Sequence, residues 1–146
     1  MGAMLKYMDD GIEQLSTGPK GVGAPTSKAS FTMAKTFNIH ANENFEKCKD
    51  FAQTPEEKKL IELLIEENEL YDEYLSLWIK VSDLKLNIDL DFTGTNAVNN
   101  LNSLETISTE GEEIEKKIDK NRQEINDLLN NYPDLKKRWD KILKSK

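Results

Sequence analysis

The sequence predicts an all-α protein, an antiparallel helical bundle of three to four helices with heptad seams, carrying a short N-terminal helix on a Gly/Pro-rich loop and one extended connector near 86–93. Three observations predict it. Apolar residues recur at helical spacing through most of the 146 residues, and glycine and proline punctuate the chain into helix-length segments. The composition, 37% hydrophobic and 32% charged, suits long water-facing helices better than a compact sheet. The length fits one domain, in which residues 1–27 form the short helix and its loop, and 28–146 the bundle. Its helices are expected at about 28–52, 54–85, 97–131 and 133–145.

Met4, Leu5, Met8, Ile12 and Leu15 share one helical face, so a short amphipathic helix over about 3–16 is expected, too short to stand alone. Residues 18–25 hold three glycines and two prolines and are read as a flexible loop. Thr26 or Ser27 can cap the next helix, whose stripe is Phe31, Ala34, Phe37, Ala41, Phe45, Cys48 and Phe51 or Ala52. Thr54-Pro55-Glu56-Glu57 is a start signal: a threonine cap, proline at the first helical position, and glutamate three residues after the cap.

In the helix that follows, Leu63, Leu70, Leu77 and Leu84 repeat every seven residues, and Leu64, Tyr71 and Trp78 widen the seam into a bundle-type face. Leu84 to Phe92 then alternates apolar and polar residues, a strand period. A lone strand has no partner here, so the expectation is an extended connector along the bundle. An exposed strand pairing with another molecule is the sharper alternative. The last segment places Leu104, Gly111, Ile118, Ile125, Tyr132 and Trp139 at one heptad position, and Ile107, Ile114, Asn121, Leu128, Leu135 and Ile142 at the other. Pro133 must kink or split it. Asn121 within the seam either fixes register or drifts to water.

Charge is distributed unevenly. The net −7 lies in residues 54–91, where 11 acids meet 4 lysines, while 1–53 and 92–146 each balance. From Asp134 onward six bases face two acids. These bases complement the negative end of the last helix, and can also face the acidic helix or an acidic partner. The acidic balance argues against a broad nucleic-acid or anionic-membrane surface. A membrane-shaping coiled-coil dimer would need a basic face that 54–91 denies. No run approaches a membrane span, and residues 1–16 lack a signal peptide's basic start and apolar run. A single cysteine closes no internal disulfide, so a cytoplasmic location is expected.

Few residues invite catalysis. Asp89-Leu-Asp91-Phe-Thr93 resembles the signature of haloacid-dehalogenase-type phosphatases, which would make Asp89 a nucleophile and Asp91 a general acid/base, but that family needs a doubly wound sheet and further motifs. The same residues resemble the start of an EF-hand loop, with Asn100 where a bidentate glutamate belongs. Glu62, Glu66, Glu69 and Glu73 are similar to a di-iron carboxylate set, yet the only histidine, His40, has no Glu three residues before it. His40 and Cys48 lie about 12 Å apart along one helix. Cys48 is read as a buried small apolar residue and His40 as a helix flank. No cofactor and no metal are expected.

The expected function is therefore non-enzymatic: a protein–protein interaction, scaffold or adaptor module that binds a protein partner, or itself as a homodimer, through apolar helix faces. It should need no nucleic acid and make no stable membrane insertion. The partner-binding candidates are Tyr71, Tyr74 and Trp78 in the acidic helix, and Leu135, Lys136, Arg138 and Trp139 in the basic tail. The alternative is a ligand-sensing bundle. Ala52-Gln-Thr-Pro-Glu-Glu-Lys58, followed by a Leu- and Tyr-rich helix, is similar to the four-helix sensor domains of bacterial chemoreceptors over about sixty residues. That resemblance implies a small molecule bound between helices.

Overall fold

In the computed structural model the described residues are 4, 8, 10–13, 23–90 and 96–144; the side chains of 24, 88–90, 96, 97 and 142–144 lie outside the description. The fold is an all-α helical bundle with no strand among the described residues. Helical residues 4, 8 and 10–13 come first. Then follow α1 (Gly23–Cys48), a 3-10 turn (Lys49–Phe51), α2 (Pro55–Leu90), α3 (Asn96–Asn131) and α4 (Pro133–Lys144).

Helix α2 is the spine, with α1 and α3 packed against it. Both neighbours run antiparallel to it. Along α1, Lys28 meets Asp83 at 2.8 Å, Lys35 meets Ser76 at 2.7 Å, and Asn38 Nδ2 donates to the Asn68 carbonyl at 2.6 Å. Along α3, Tyr74 donates to Glu115, Arg122 donates to Glu67 at 2.9 Å, and Asn121 Nδ2 donates to the Leu63 carbonyl at 2.9 Å. Each flanking helix thus sends one asparagine to the backbone of the spine. Asn121 is 3% exposed, so it stays in the seam and fixes register within the chain.

Two apolar clusters lie along α2. One joins Met4, Phe31, Ala34, Leu70, Tyr71, Leu75, Leu77, Ile114 and Ile118; the other joins Leu60, Leu63, Leu64, Ile125, Leu129 and Leu135. A fully buried leucine such as Leu75 contributes roughly 1.5–3 kcal/mol. Among the described N-terminal residues, Met4 belongs to the first cluster. Met4 is buried, Met8 and Ile12 pack against it, and Gly11 sits so close to Phe31 that an added Cβ would lie 2.6 Å from the ring.

The start of α2 follows the sequence signal. Thr54 Oγ1 accepts from the Glu57 N–H at 3.2 Å, and Glu57 accepts from the Gln53 N–H at 3.0 Å. At Pro133 the chain divides into α3 and α4, because proline offers no N–H to the turn before it.

Several expectations need correction. The extended connector near 86–93 is helical up to Leu90, with 91–93 outside the described residues. Adding a turn to a formed helix is cheap, whereas a lone strand leaves its backbone unpaired. Helix α1 starts at Gly23 rather than at 28, taking Gly23, Ala24 and Pro25 from the expected loop; 18–22 lie outside the described residues. Proline is tolerated there because first-turn N–H groups have no helical partner. Ser27 does not cap: it is buried and donates to the Gly11 carbonyl at 2.7 Å.

The α1 stripe passes through Ser27, Phe31, Ala34 and Asn38, so Asn38 replaces Phe37 in the interface. Cys48 is exposed and Phe51 is 81% exposed, because α2 begins only at Pro55 and leaves the end of α1 uncovered. In the last seam Leu129 takes the buried place expected of Tyr132, which lies in the break before Pro133.

Candidate functional site

Tyr71, Tyr74 and Trp78 follow one another along α2 at spacings of three and four, which aligns them on one side of the helix. Their environments differ. Tyr71 is buried, with its hydroxyl accepting from Arg122 Nη2 and the guanidinium 5.5 Å from its ring centre. Burial raises its pKa against the opposing pull of Arg122. Tyr71 is thus part of the core rather than a contact surface.

Tyr74 and Trp78 border open space. Trp78 stacks on Phe31 at 5.5 Å and meets the Tyr74 ring edge-on at 6.1 Å. Tyr74 donates to Glu115, and burial together with that carboxylate pushes its pKa up to about 12. Between these rings and α3 lies a cavity of about 420 Å³ lined by Tyr74, Leu77, Trp78 and Val81 from α2 and by Leu104, Ile107, Ser108, Gly111, Glu112 and Glu115 from α3.

The α3 wall is a helical row. Leu101, Leu104, Ser108, Gly111 and Glu115 are spaced by three and four, and Leu101, 57% exposed, continues the cavity's apolar wall outward. Val98 beyond it is 63% exposed. Gly111 leaves the row open in the middle: an added Cβ would meet only Tyr74 Cε2, at 3.9 Å. The site is therefore a groove with an aromatic and aliphatic floor and a carboxylate edge formed by Glu112 and Glu115.

The tail candidates lie elsewhere and are engaged within the chain. Leu135 is buried in the second cluster, with Trp139 packed against it. Lys136 meets Asn130 at 3.3 Å, and Arg138 bonds Glu57 at 2.9 Å. Glu57 has a lowered pKa, first because of the Gln53 N–H and then because of Arg138. The basic tail thus closes onto the start of the acidic helix. Of the seven candidates, the structure brings Tyr74 and Trp78 together at the groove.

Sequence reasoning missed the α3 wall. The signal was present: Gly111 occupies an apolar seam position, where a missing side chain leaves room. His40 is exposed, as a helix flank. Of the residues resembling phosphatase and EF-hand motifs, Asp91 and Thr93 lie outside the described residues; Asp89 is in α2, not at a strand end.

Together these features define the class of the protein as an all-α bundle around a central helix. Among the described residues, no helix is long and apolar enough to cross a membrane. No protein family, curated protein or solved structure matches the chain.

Proposed function

We propose that the protein is a non-catalytic helical interaction module of the cytoplasm, and that its α2/α3 groove receives a basic amphipathic helix of a partner protein. The observation that carries the reading is the groove itself: an apolar floor edged by Glu112 and Glu115 and extended by exposed Leu101. Helix-in-groove recognition needs an apolar strip for the buried face and charge complementary to its flanks. From Leu101 to Glu115 the row spans about 21 Å at 1.5 Å per residue, the length of a helix of about 14 residues. Gly111 supports the reading, since a glycine inside a helix costs about 1 kcal/mol relative to alanine and here opens the groove.

The test is a titration with a synthetic Leu/Lys amphipathic peptide of about 14 residues, followed by Trp78 fluorescence in a Trp139→Phe background. Saturable 1:1 binding that is lost in Gly111→Leu is expected, together with no binding of the matching Leu/Glu peptide. Equal binding by Gly111→Leu would contradict the groove as the site. A stable dimer in sedimentation equilibrium that blocks the peptide would assign the groove to a second copy instead.

A further inference from the structure

Helix α2 borders a cavity on each flank. The one against α1 has Lys35 in its lining, whereas the one against α3 is lined by two carboxylates, Glu112 and Glu115, and by no base among the described residues. The α3-side cavity is also the aromatic one. Tyr74 and Trp78 both line it, with their ring planes at 90° and their centres 6.1 Å apart, so they form two walls of a corner. Phe31 stacks on Trp78 from α1, at 5.5 Å and an angle of 21°, and lies outside the lining, so it backs the indole from behind. Tyr74 is held by its bond to Glu115.

These walls select a cation of a particular kind. A positive charge is attracted to an aromatic face when it lies within about 6 Å of the ring centre, and a corner of two rings lets one cation meet both. The remaining walls decide how that charge is carried. Leu77 and Val81 from α2, with Leu104 and Ile107 from α3, are apolar, so an ammonium with N–H groups or a metal ion would give up hydration it could not replace there. A quaternary ammonium has no N–H, spreads its charge over methyl groups, and packs on aliphatic walls while the rings attract it. Room is present: the cavity holds about 420 Å³, within the range of small-molecule sites, and at Gly111 an added Cβ would meet only Tyr74 Cε2, at 3.9 Å. Glu112 and Glu115 are exposed, which puts the counter-charge at the mouth.

We infer that the Tyr74/Trp78 corner binds the trimethylammonium head of a small molecule of the choline class. The head sits against the two rings, and Glu112 and Glu115 supply the opposing charge. The site lies within the proposed docking groove but goes beyond that reading and does not rest on it: a helix needs the whole row from Leu101 to Glu115, a trimethylammonium only the corner.

The experiment titrates the full chain, carrying Trp139→Phe so that Trp78 is the only tryptophan, with choline chloride at an ionic strength held constant by sodium chloride. Calorimetry and Trp78 fluorescence are the readouts, and no peptide is present. Saturable 1:1 binding with a Kd of about 1 mM or tighter is expected. The neutral isostere of choline, in which a tert-butyl group replaces the trimethylammonium, has the shape without the charge, and ethanolamine has the charge with N–H groups. Each should bind about tenfold or more weaker. Gly111→Leu, which fills the space before Tyr74, should abolish binding, and Glu112→Gln, at an exposed position, should fold and weaken it severalfold. No saturable choline binding, equal binding of either comparison compound, or unchanged affinity in the folded Gly111→Leu or Glu112→Gln protein would overturn the inference. Failure of helix docking would leave each of these results intact, so the two readings fall separately.

Discussion

Arg122 illustrates how one side chain ties the two levels of the α2/α3 interface. Its Nε donates to Glu67, whose side chain is almost fully buried, while Nη2 donates to Tyr71 one turn along α2. Removing the cation leaves a buried carboxylate without its partner. Fully buried pairs lose roughly 3–5 kcal/mol in that way, and Arg122 is half exposed, so Arg122→Met should cost about 2 kcal/mol. Urea unfolding checks the value, and restoring much of the loss with Glu67→Gln would tie it to the orphaned charge. Tyr74 gives a pH signature. Its folded pKa of about 12 lies above the unfolded value of 10, so the neutral phenol is favoured by folding. Its contribution is complete below pH about 10 and is lost as pH rises through about 12. Ultraviolet titration should show Tyr74 ionising late, alongside the raised Tyr71, and the amplitude of that late step should fall in Tyr74→Phe.

At the scale of elements, the segments with strong local chemistry were legible in the sequence. The Thr54-Pro55-Glu56-Glu57 start is present as a hydrogen-bonded cap, and Pro133 divides α3 from α4. Thr54→Ala should therefore cost about 1 kcal/mol, read as a lower denaturation midpoint at unchanged slope. Where local pattern and tertiary context conflict, pattern misleads. The alternation in residues 86–90 has a strand period, but those residues extend a long helix, and no strand among the described residues offers hydrogen bonds. Phe37 and Cys48 fit an apolar stripe, yet α2 covers Asn38 instead and starts too late to cover Cys48. Hydrophobicity ranks residues and cannot say where a partner helix ends. The groove was legible by half: Tyr74 and Trp78 stood out as aromatics, while its other wall depends on an absent side chain at Gly111 and on the antiparallel register of α3.

For the whole molecule, the concentration of the −7 in residues 54–91 becomes a spatial arrangement. The acidic helix is the spine, its start is tied to the basic tail through Glu57 and Arg138, and its two flanks border different cavities. The tail is bonded to the start of the chain's own spine, and the α2/α3 groove presents an apolar surface with an acidic edge. Surface charge at that edge is screened by salt over about 10 Å at 0.1 M, so docking there should weaken as salt rises. Docking of a basic helix in this groove is the proposed function. It is tested most directly by titrating the Trp139→Phe protein with the Leu/Lys peptide, at low and high salt, alongside Gly111→Leu in the same background. A saturable change in Trp78 fluorescence is expected, weaker at high salt and absent when leucine fills the groove. A response that does not saturate, or one that persists in Gly111→Leu, would contradict it.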